Sequence, residues 1–573
     1  MKKTSLVVLL SAGLALVVVP PLKAAAPELV IVNGRIVTGE ASGTVREALA
    51  VREGRIVAVG TTREISRLAD VSTQTVDLEG KMVLPGLYEA HVHARRASLA
   101  YLRDPHQELR TITEIQEWVR QRAREVPTGE WIRIPRNEIT RSRERRHPTV
   151  AELDAACTTH PVVFDAVRKL VLNTRGFREL GITEETKSVP GGEIIRGANG
   201  RLRFLVTSSP QLTSRFAARD TATDDQKREA LLKLHRAYNA AGITTIFERG
   251  SLMDEYRVYE KLQSAGLLSV RTRFTMFAPF KTAEDVESFV KKENIRPGHG
   301  DDWLSIGTLK IMADGGIHWG NTRLSEPYGA KRTEFYGHSD PAFRGDMTAT
   351  DEQMRAVFGA AARLGWQMIV HVTGDGGVDA VLRAMEAVNK EVPLQGKRFM
   401  LTHAYFPSPG LAARAGALGM GVDTQAYTFL MDAPFINDIY GPEWAERFIG
   451  LGHWARGGVP AIISSDHMVG YDPDHSMNSY NPFIGLYAAV SRRSENGQVF
   501  GPGQRLSRIE ALRAVTAIPA YLNFEENKSG TLEAGKFADF VVIDRDYLKC
   551  PEEEIRGIKV LRTVVGGKTV FLR

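Results

Sequence analysis

Hydrophobic positions along the chain fall into two textures. Near the N-terminus, short apolar runs alternate with turn residues. ELVIVNGRIVTGE (28–40) sets two runs around Asn33-Gly34, and EALAVREGRIVAVG (47–60) repeats the pattern around Glu53-Gly54. Asn and Gly both tolerate positive φ, so these stretches predict two-residue hairpins. VDLEGKMVLPG (76–86) continues the β texture, and GTLEAGKFADFVVID (530–544) and IKVLRTVVGGKTVFLR (558–573) repeat it at the other end. Neither end has enough strands to cover both faces of its own sheet. The two are therefore expected to join in one small β-sandwich, from residues 27–86 and 526–573, with residues 87–525 inserted between them.

The middle of the chain has the second texture. Helical patterns such as DDQKREALLKLHRAYNAAG (224–242) and DEQMRAVFGAAARLG (351–365) each lead into a short β-type run, ITTIFE (243–248) and WQMIVHVTG (366–374). GLAARAGALGM (410–420) leads to GVDTQAY, and GHWARGGV (452–459) to PAIISSD. Repeated helix-to-strand units predict an α/β fold with a parallel sheet, a (β/α)8 TIM-type barrel first and an open doubly wound sheet second. No GxGxxG or GxxxxGK[ST] follows a strand, which argues against a nucleotide site. Residues of about 102–220 lack the pattern and read as an irregular insert.

Composition adds three constraints. A length of 573 residues, 43% hydrophobic and 25% charged, suits a soluble barrel with an accessory module. MKK, the apolar SLVVLLSAGLALVVV (5–19) and PPLKAAAP have the layout of a secretory signal over residues 1–26. The apolar run is short of the roughly 20 residues that span a membrane. The product is expected to be exported, periplasmic or secreted, with no stable membrane insertion once that segment is gone. The formal charge is +6, and Lys2, Lys3 and Lys23 lie in the same segment, so nucleic acid is not an expected partner. The basic run RSRERRH (141–147) lacks interleaved aromatics and reads as a solvated face. With only Cys157 and Cys550, a thiolate zinc site is excluded; both read as small core residues, and their pairing is left open.

In a parallel barrel the chemistry sits at the C-terminal ends of the strands, so a polar residue closing an apolar run matters. LPGLYEAHVH (84–93) ends in two histidines on one face of a strand. IGTLKIMADGG holds Lys310, WQMIVHVTGDGG ends its run at His371, KRFMLTHAYF at His403, and VPAIISSDHM at Asp466. Taken singly, a strand-end histidine is usually a satisfied core residue and such an Asp a helix cap. Six ligand-type groups, on separate units that one barrel mouth would collect, form a constellation.

The order HxH, Lys, His, His, Asp resembles the amidohydrolase superfamily of metal-dependent hydrolases. LPGLYEAHVH is similar to its first-strand motif, with Glu89 where Asp is usual. LKIMADGGI, IVHVTGDGGVDAVL, LTHAYF, SSDHMVGY, NPFIGLYAAVSRR and GTLEAGKFADFVVID resemble its family 3 branch, which includes N-substituted formamide deformylases. The resemblance implies that His91 and His93 bind one divalent ion, and imidazole and carboxylate ligands suit zinc. It also implies that Lys310 carries a CO2-derived carbamate bridging two ions, that His371 and His403 bind the second, and that Asp466 touches the metal site and shuttles protons. One ion or two does not follow. Departures fall around the substrate and mark candidate pocket residues: Arg168, where the family commonly has His; His318 and Trp319, in the bulky GGIHWGNTRLSEPYG (315–329); and His467, which follows Asp466 where a small residue is usual.

The resulting expectation is a hydrolase of a non-peptide carbon–nitrogen bond in a small molecule, through attack of metal-activated water on a carbonyl. An ester, lactone or cyclic imide hydrolase on the same scaffold is the alternative among enzymes. Outside them stands an inactive metal- or solute-binding protein of the envelope, which has no need of a proton shuttle such as Asp466. The oligomeric state, a homodimer included, does not follow.

Overall fold

The computed structural model describes residues 25–103, 106–166, 169–197, 199–207, 209–216 and 221–573. The expected signal segment, save its last two residues, lies outside them, as does Arg168.

Eight parallel strands pair in chain order. They are β1 (Leu87–Val92), β2 (Ile243–Ser251), β3 (Arg271–Phe277), β4 (Leu304–Met312), β5 (Gln367–Val372), β6 (Met400–His403), β7 (Gly421–Thr424) and β8 (Ala461–Ile463). A parallel bridge from Val92 to His467, with the His93 N–H donating to the His467 carbonyl at 2.8 Å, brings the eighth strand back to the first. The sheet is thus a barrel, as the alternation predicted. Tyr88, Phe247, Ile369, Met400 and Ile462 form a core of their own, closed by Ala520 and Leu522. A second and larger core packs the opposite strand faces, among them Leu309, Val370 and Leu401, against helices. The helices start where their caps dictate: Thr223 with Gln226, and Thr350 with Gln353, form capping boxes ahead of Asp224–Ala240 and Asp351–Arg363.

The chain ends meet as expected. Phe540–Ile543 pairs antiparallel with Met82–Pro85 in a six-stranded sheet, and a four-stranded sheet from residues 29–77 shares its apolar core through Ile31, Leu49, Val83, Phe540 and Val564. The two turn signals have different outcomes. Ala48–Arg52 and Arg55–Gly60 are a true hairpin, with Glu53 and Gly54 both at positive φ. Asn33 is also at positive φ, but Leu29–Val32 and Arg35–Val37 belong to different sheets, so that turn is a corner of the sandwich. A left-handed turn reverses or redirects the chain locally; which strand lies alongside is decided by the rest of the module.

The insert is more ordered than its sequence pattern. It carries a five-stranded sheet, helices Ile112–Glu125 and Val150–Ala156, and a core of Ile115, Val119, Leu153, Val162 and Phe204. Its strands pair mostly antiparallel, so the insert lacks the helix-to-strand repeat that marked the barrel. The basic run is likewise not one solvated face: Arg141 is buried in an ion pair with Asp432, and the His147 ring packs against Phe164 and Phe204. Both cysteines are free, Cys157 buried and Cys550 partly exposed. Among the described residues no helix is long and apolar enough to cross a membrane.

Candidate active site

His91 lies near the end of β1, where pairing with β2 slips twice, His93 directly follows the strand, and their rings lie 5.5 Å apart. Lys310 lies on β4, His371 on β5 and His403 at the end of β6, while Asp466 follows β8. All six line one cavity of about 400 Å³. His403 and Asp466 both have positive φ, a conformation that costs a non-glycine residue of order 1–3 kcal/mol and that clusters at functional sites.

The neighbours of each ring fix where its lone pair points. The His91 Nδ1–H donates to Asp423 Oδ2 at 2.9 Å, so Nε2 has only a lone pair to offer. Among the described residues that atom is buried without a hydrogen bond, 3.3 Å from an Asp466 Oδ1 that also has none. His93 Nε2 approaches the same oxygen at 3.4 Å. His403 Nδ1 donates to Gln425 Oε1 at 2.8 Å, and His371 Nε2 donates to the Gly315 carbonyl at 2.9 Å. The remaining atoms, His403 Nε2 and His371 Nδ1, face each other at 2.9 Å as two lone pairs. Either a shared proton or a cation resolves such a contact.

Protonation is disfavoured. Burial lowers the pKa of all four imidazoles, that of His403 to about 3. For Asp466, burial opposes ionisation, but His91, His93 and His403 overrule it and hold the carboxyl far below its usual range. Neutral imidazoles and an ionised carboxylate are the forms that bind metal. His91, His93 and Asp466 each place a donor atom within 4.8 Å of the others, so this donor set fits a divalent cation. Burial also brings the Lys310 amine down to about 8, with Asp466 working the other way. Lys310 makes no hydrogen bond among the described residues.

His318 and Trp319 line the cavity. Trp319 stacks on His371 with the ring planes 10° apart, and His318 Nε2 lies 3.2 Å from Asp432 Oδ2. His467 does not line it, and that expectation is corrected. Its ring is buried on the far side, between the Tyr238 hydroxyl at 2.8 Å and the Gly470 carbonyl at 2.9 Å. The backbone is left-handed at Asp466, and the two side chains part there, Asp466 toward the lumen and His467 toward the core.

Three supporting residues escaped the sequence pattern. Asp423 closes the apolar run GVDT, the signal that marked the others, and orients His91. Gln425 orients His403 and is itself held by Ser464 at 3.1 Å. Glu89, noted only as a motif variant, accepts from the backbone N–H of His91 at 3.2 Å and of Ser465 at 3.0 Å, tying the ends of β1 and β8 together. Burial raises its pKa to about 8. Arg96, Arg136 and Glu138 also line the cavity, and nothing in their local sequence announces it.

The chain resembles known proteins over nearly its whole length. It is 26% identical to the N-substituted formamide deformylase of Arthrobacter pascens, over 94% of this chain and 97% of that protein. It is 24% identical to Protein LONG AFTER FAR-RED 3 of Arabidopsis thaliana, covering 95% and 91%. The fold matches the crystal structure of an uncharacterized metal-dependent hydrolase from Pyrococcus furiosus with a TM-score of 0.65, at 20% identity, over 91% of this chain and all of that one. Residues 74–571 match the amidohydrolase family, and the chain belongs to it.

Proposed function

We propose that the protein is an exported hydrolase that uses a divalent ion, zinc in the first instance, to cleave a non-peptide carbon–nitrogen bond in a small molecule. The observation that carries this reading is the set of buried lone pairs on His91, His371 and His403, with Asp466 Oδ1, aimed into one cavity. The similarity to a formamide deformylase supports formamides and related N-acyl compounds as the first substrates to try. The layout of residues 1–26 supports export, which cell fractionation tests.

In this reading His91 and His93 hold one ion, and His371 and His403 hold a second. The Lys310 amine, freed of its proton more readily than a surface lysine, would add to CO2 with release of one proton, and the resulting carbamate would give the metal site a further anionic ligand. An ion held by these residues would supply Lewis acidity toward the substrate carbonyl and toward water. Asp466, its carboxyl held far below the usual range, stays ionised between turnovers. It takes the proton of the attacking water on its carboxylate and passes it to the leaving nitrogen. Asp423 and Gln425 hold the His91 and His403 rings in the tautomer that keeps Nε2 free.

The test joins metal analysis of the purified protein to a screen of formamides, N-acyl amides and cyclic amides. Removal of metal is expected to abolish turnover, and Asp466→Asn to lower kcat by about 10²–10⁴-fold. Turnover that survives exhaustive chelation ends the reading.

A further inference from the structure

The cavity wall carries a positive surplus that the hydrolytic centre does not use. Lys310 and Asp466 belong to the centre. Behind the wall residue His318, Asp432 pairs with Arg141 at 3.1 Å and with His318 at 3.2 Å. Burial disfavours a charged His318, but Glu138 and Asp432 outweigh it and raise its pKa. With His318 protonated, two cations and two carboxylates cancel in that group. Arg136 and Arg96 are left over.

Neither arginine has a strong partner. Arg136 reaches in from the insert; its guanidinium is 3.5 Å from Glu138 Oε1 and 3.4 Å from Met468 Sδ, and its Nε is buried with no hydrogen bond. Arg96, in the helix after β1, donates to the Gly250 carbonyl at 3.1 Å and forms no ion pair among the described residues. Gly250 lies against the centre, since a Cβ there would be 3.8 Å from both the His93 ring and the Lys310 chain. Met312, Ile317, Trp319 and Met477 make other parts of the wall apolar. A partly buried guanidinium with an unmet donor favours an oxyanion, and its planar fork matches a carboxylate.

Resting on the hydrolase reading, we propose that Arg136 and Arg96 bind a carboxylate of the substrate, which makes the substrate class N-acyl or N-formyl amino acids and similar acidic amides. The carboxylate completes the hydrogen bonding of Arg136 and neutralises the surplus beside the centre, while the acyl group lies toward His371 and Trp319.

The test uses the metal-loaded full-length protein and matched pairs: N-formyl, N-acetyl and N-benzoyl amino acids, each as the free acid and as the primary amide. Hydrolysis is read as kcat/KM, and binding by calorimetry for any pair that is not turned over. The acids are expected to be preferred about tenfold or more. Arg136→Gln and Arg96→Gln are each expected to bring that ratio toward one with metal content unaltered. Amides handled as well as acids, a ratio that survives both substitutions, or no acid bound at all overturns the proposal. Hydrolysis of neutral members without an acid preference leaves the hydrolase reading standing. Arginine-dependent binding of acids without any hydrolysis does the reverse.

Discussion

Replacing Asp423 by asparagine tests whether a buried carboxylate sets the His91 tautomer. Asp423 accepts from His91 Nδ1 at 2.9 Å and from the Ser464 hydroxyl at 2.5 Å, and Arg249 Nε lies 3.8 Å away. Asparagine keeps the volume and can still accept from His91. Its amide nitrogen must then face Ser464 or Arg249, and the charge is gone. Two separable losses result. Without the carboxylate, Nε2 of His91 becomes a poorer base, and such outer partners are worth about 10–100-fold in metal affinity, or roughly 1.4–2.7 kcal/mol. Arg249 also loses its counter-ion, a change that costs about 3–5 kcal/mol at buried pairs. Its bonds to the Ala90 carbonyl at 2.9 Å and the Thr275 hydroxyl at 3.0 Å remain, which places the stability loss near the lower end. Graded chelator followed by elemental analysis measures the first loss, and urea unfolding the second. A variant that retains metal within twofold of the parent at every chelator concentration refutes the tautomer argument.

Three further outcomes are expected. Gly374→Ala puts a Cβ 1.9 Å from the Arg323 carbonyl while the Gly374 N–H is tied to Asp314 at 2.9 Å, so thermal unfolding should show a loss of at least about 1–3 kcal/mol; an unshifted Tm contradicts the packing. Asp432→Asn removes the anion shared by Arg141, His318 and Thr140, and limited proteolysis should then cut within residues 102–220 sooner than in the parent. Burial lowers His147 and His235 to about 3 in the folded chain, below the roughly 6.5 of the unfolded one. The unfolded state therefore takes up protons first as pH falls. The stability present above about 6.5 is lost between there and 3, at up to about 1.4 kcal/mol per histidine per pH unit. Urea midpoints that stay constant from pH 7 to 5 would count against this.

How much was legible in the sequence differs from residue to residue. The period of the apolar pattern determined the elements: Asp224–Ala240 and Ile243–Ser251 lie where a 3.6-residue pattern gives way to an apolar run. Because a parallel barrel gathers its strand ends at one face, the chain positions of His91, His93, Lys310, His371, His403 and Asp466 were legible as well. Those signals are local, or follow from one global rule. Other features rest on contacts between residues far apart in the chain. Asn33 took the backbone conformation its type favours, yet the strands it joins lie in different sheets. Asp466 faces the cavity and His467 the core, a choice made by the bridge to Val92 and the bond to Tyr238. The free lone pair of His91 depends on Asp423, and the charge surplus depends on Arg136 arriving from an insert that lacks the barrel's helix-to-strand repeat. By itself the sequence determined which segments are strands and helices and which side chains stand at strand ends. Only the tertiary structure decided which way those side chains turn and which charges go unmatched, because hydrogen-bond partners and counter-ions are set by proximity in space.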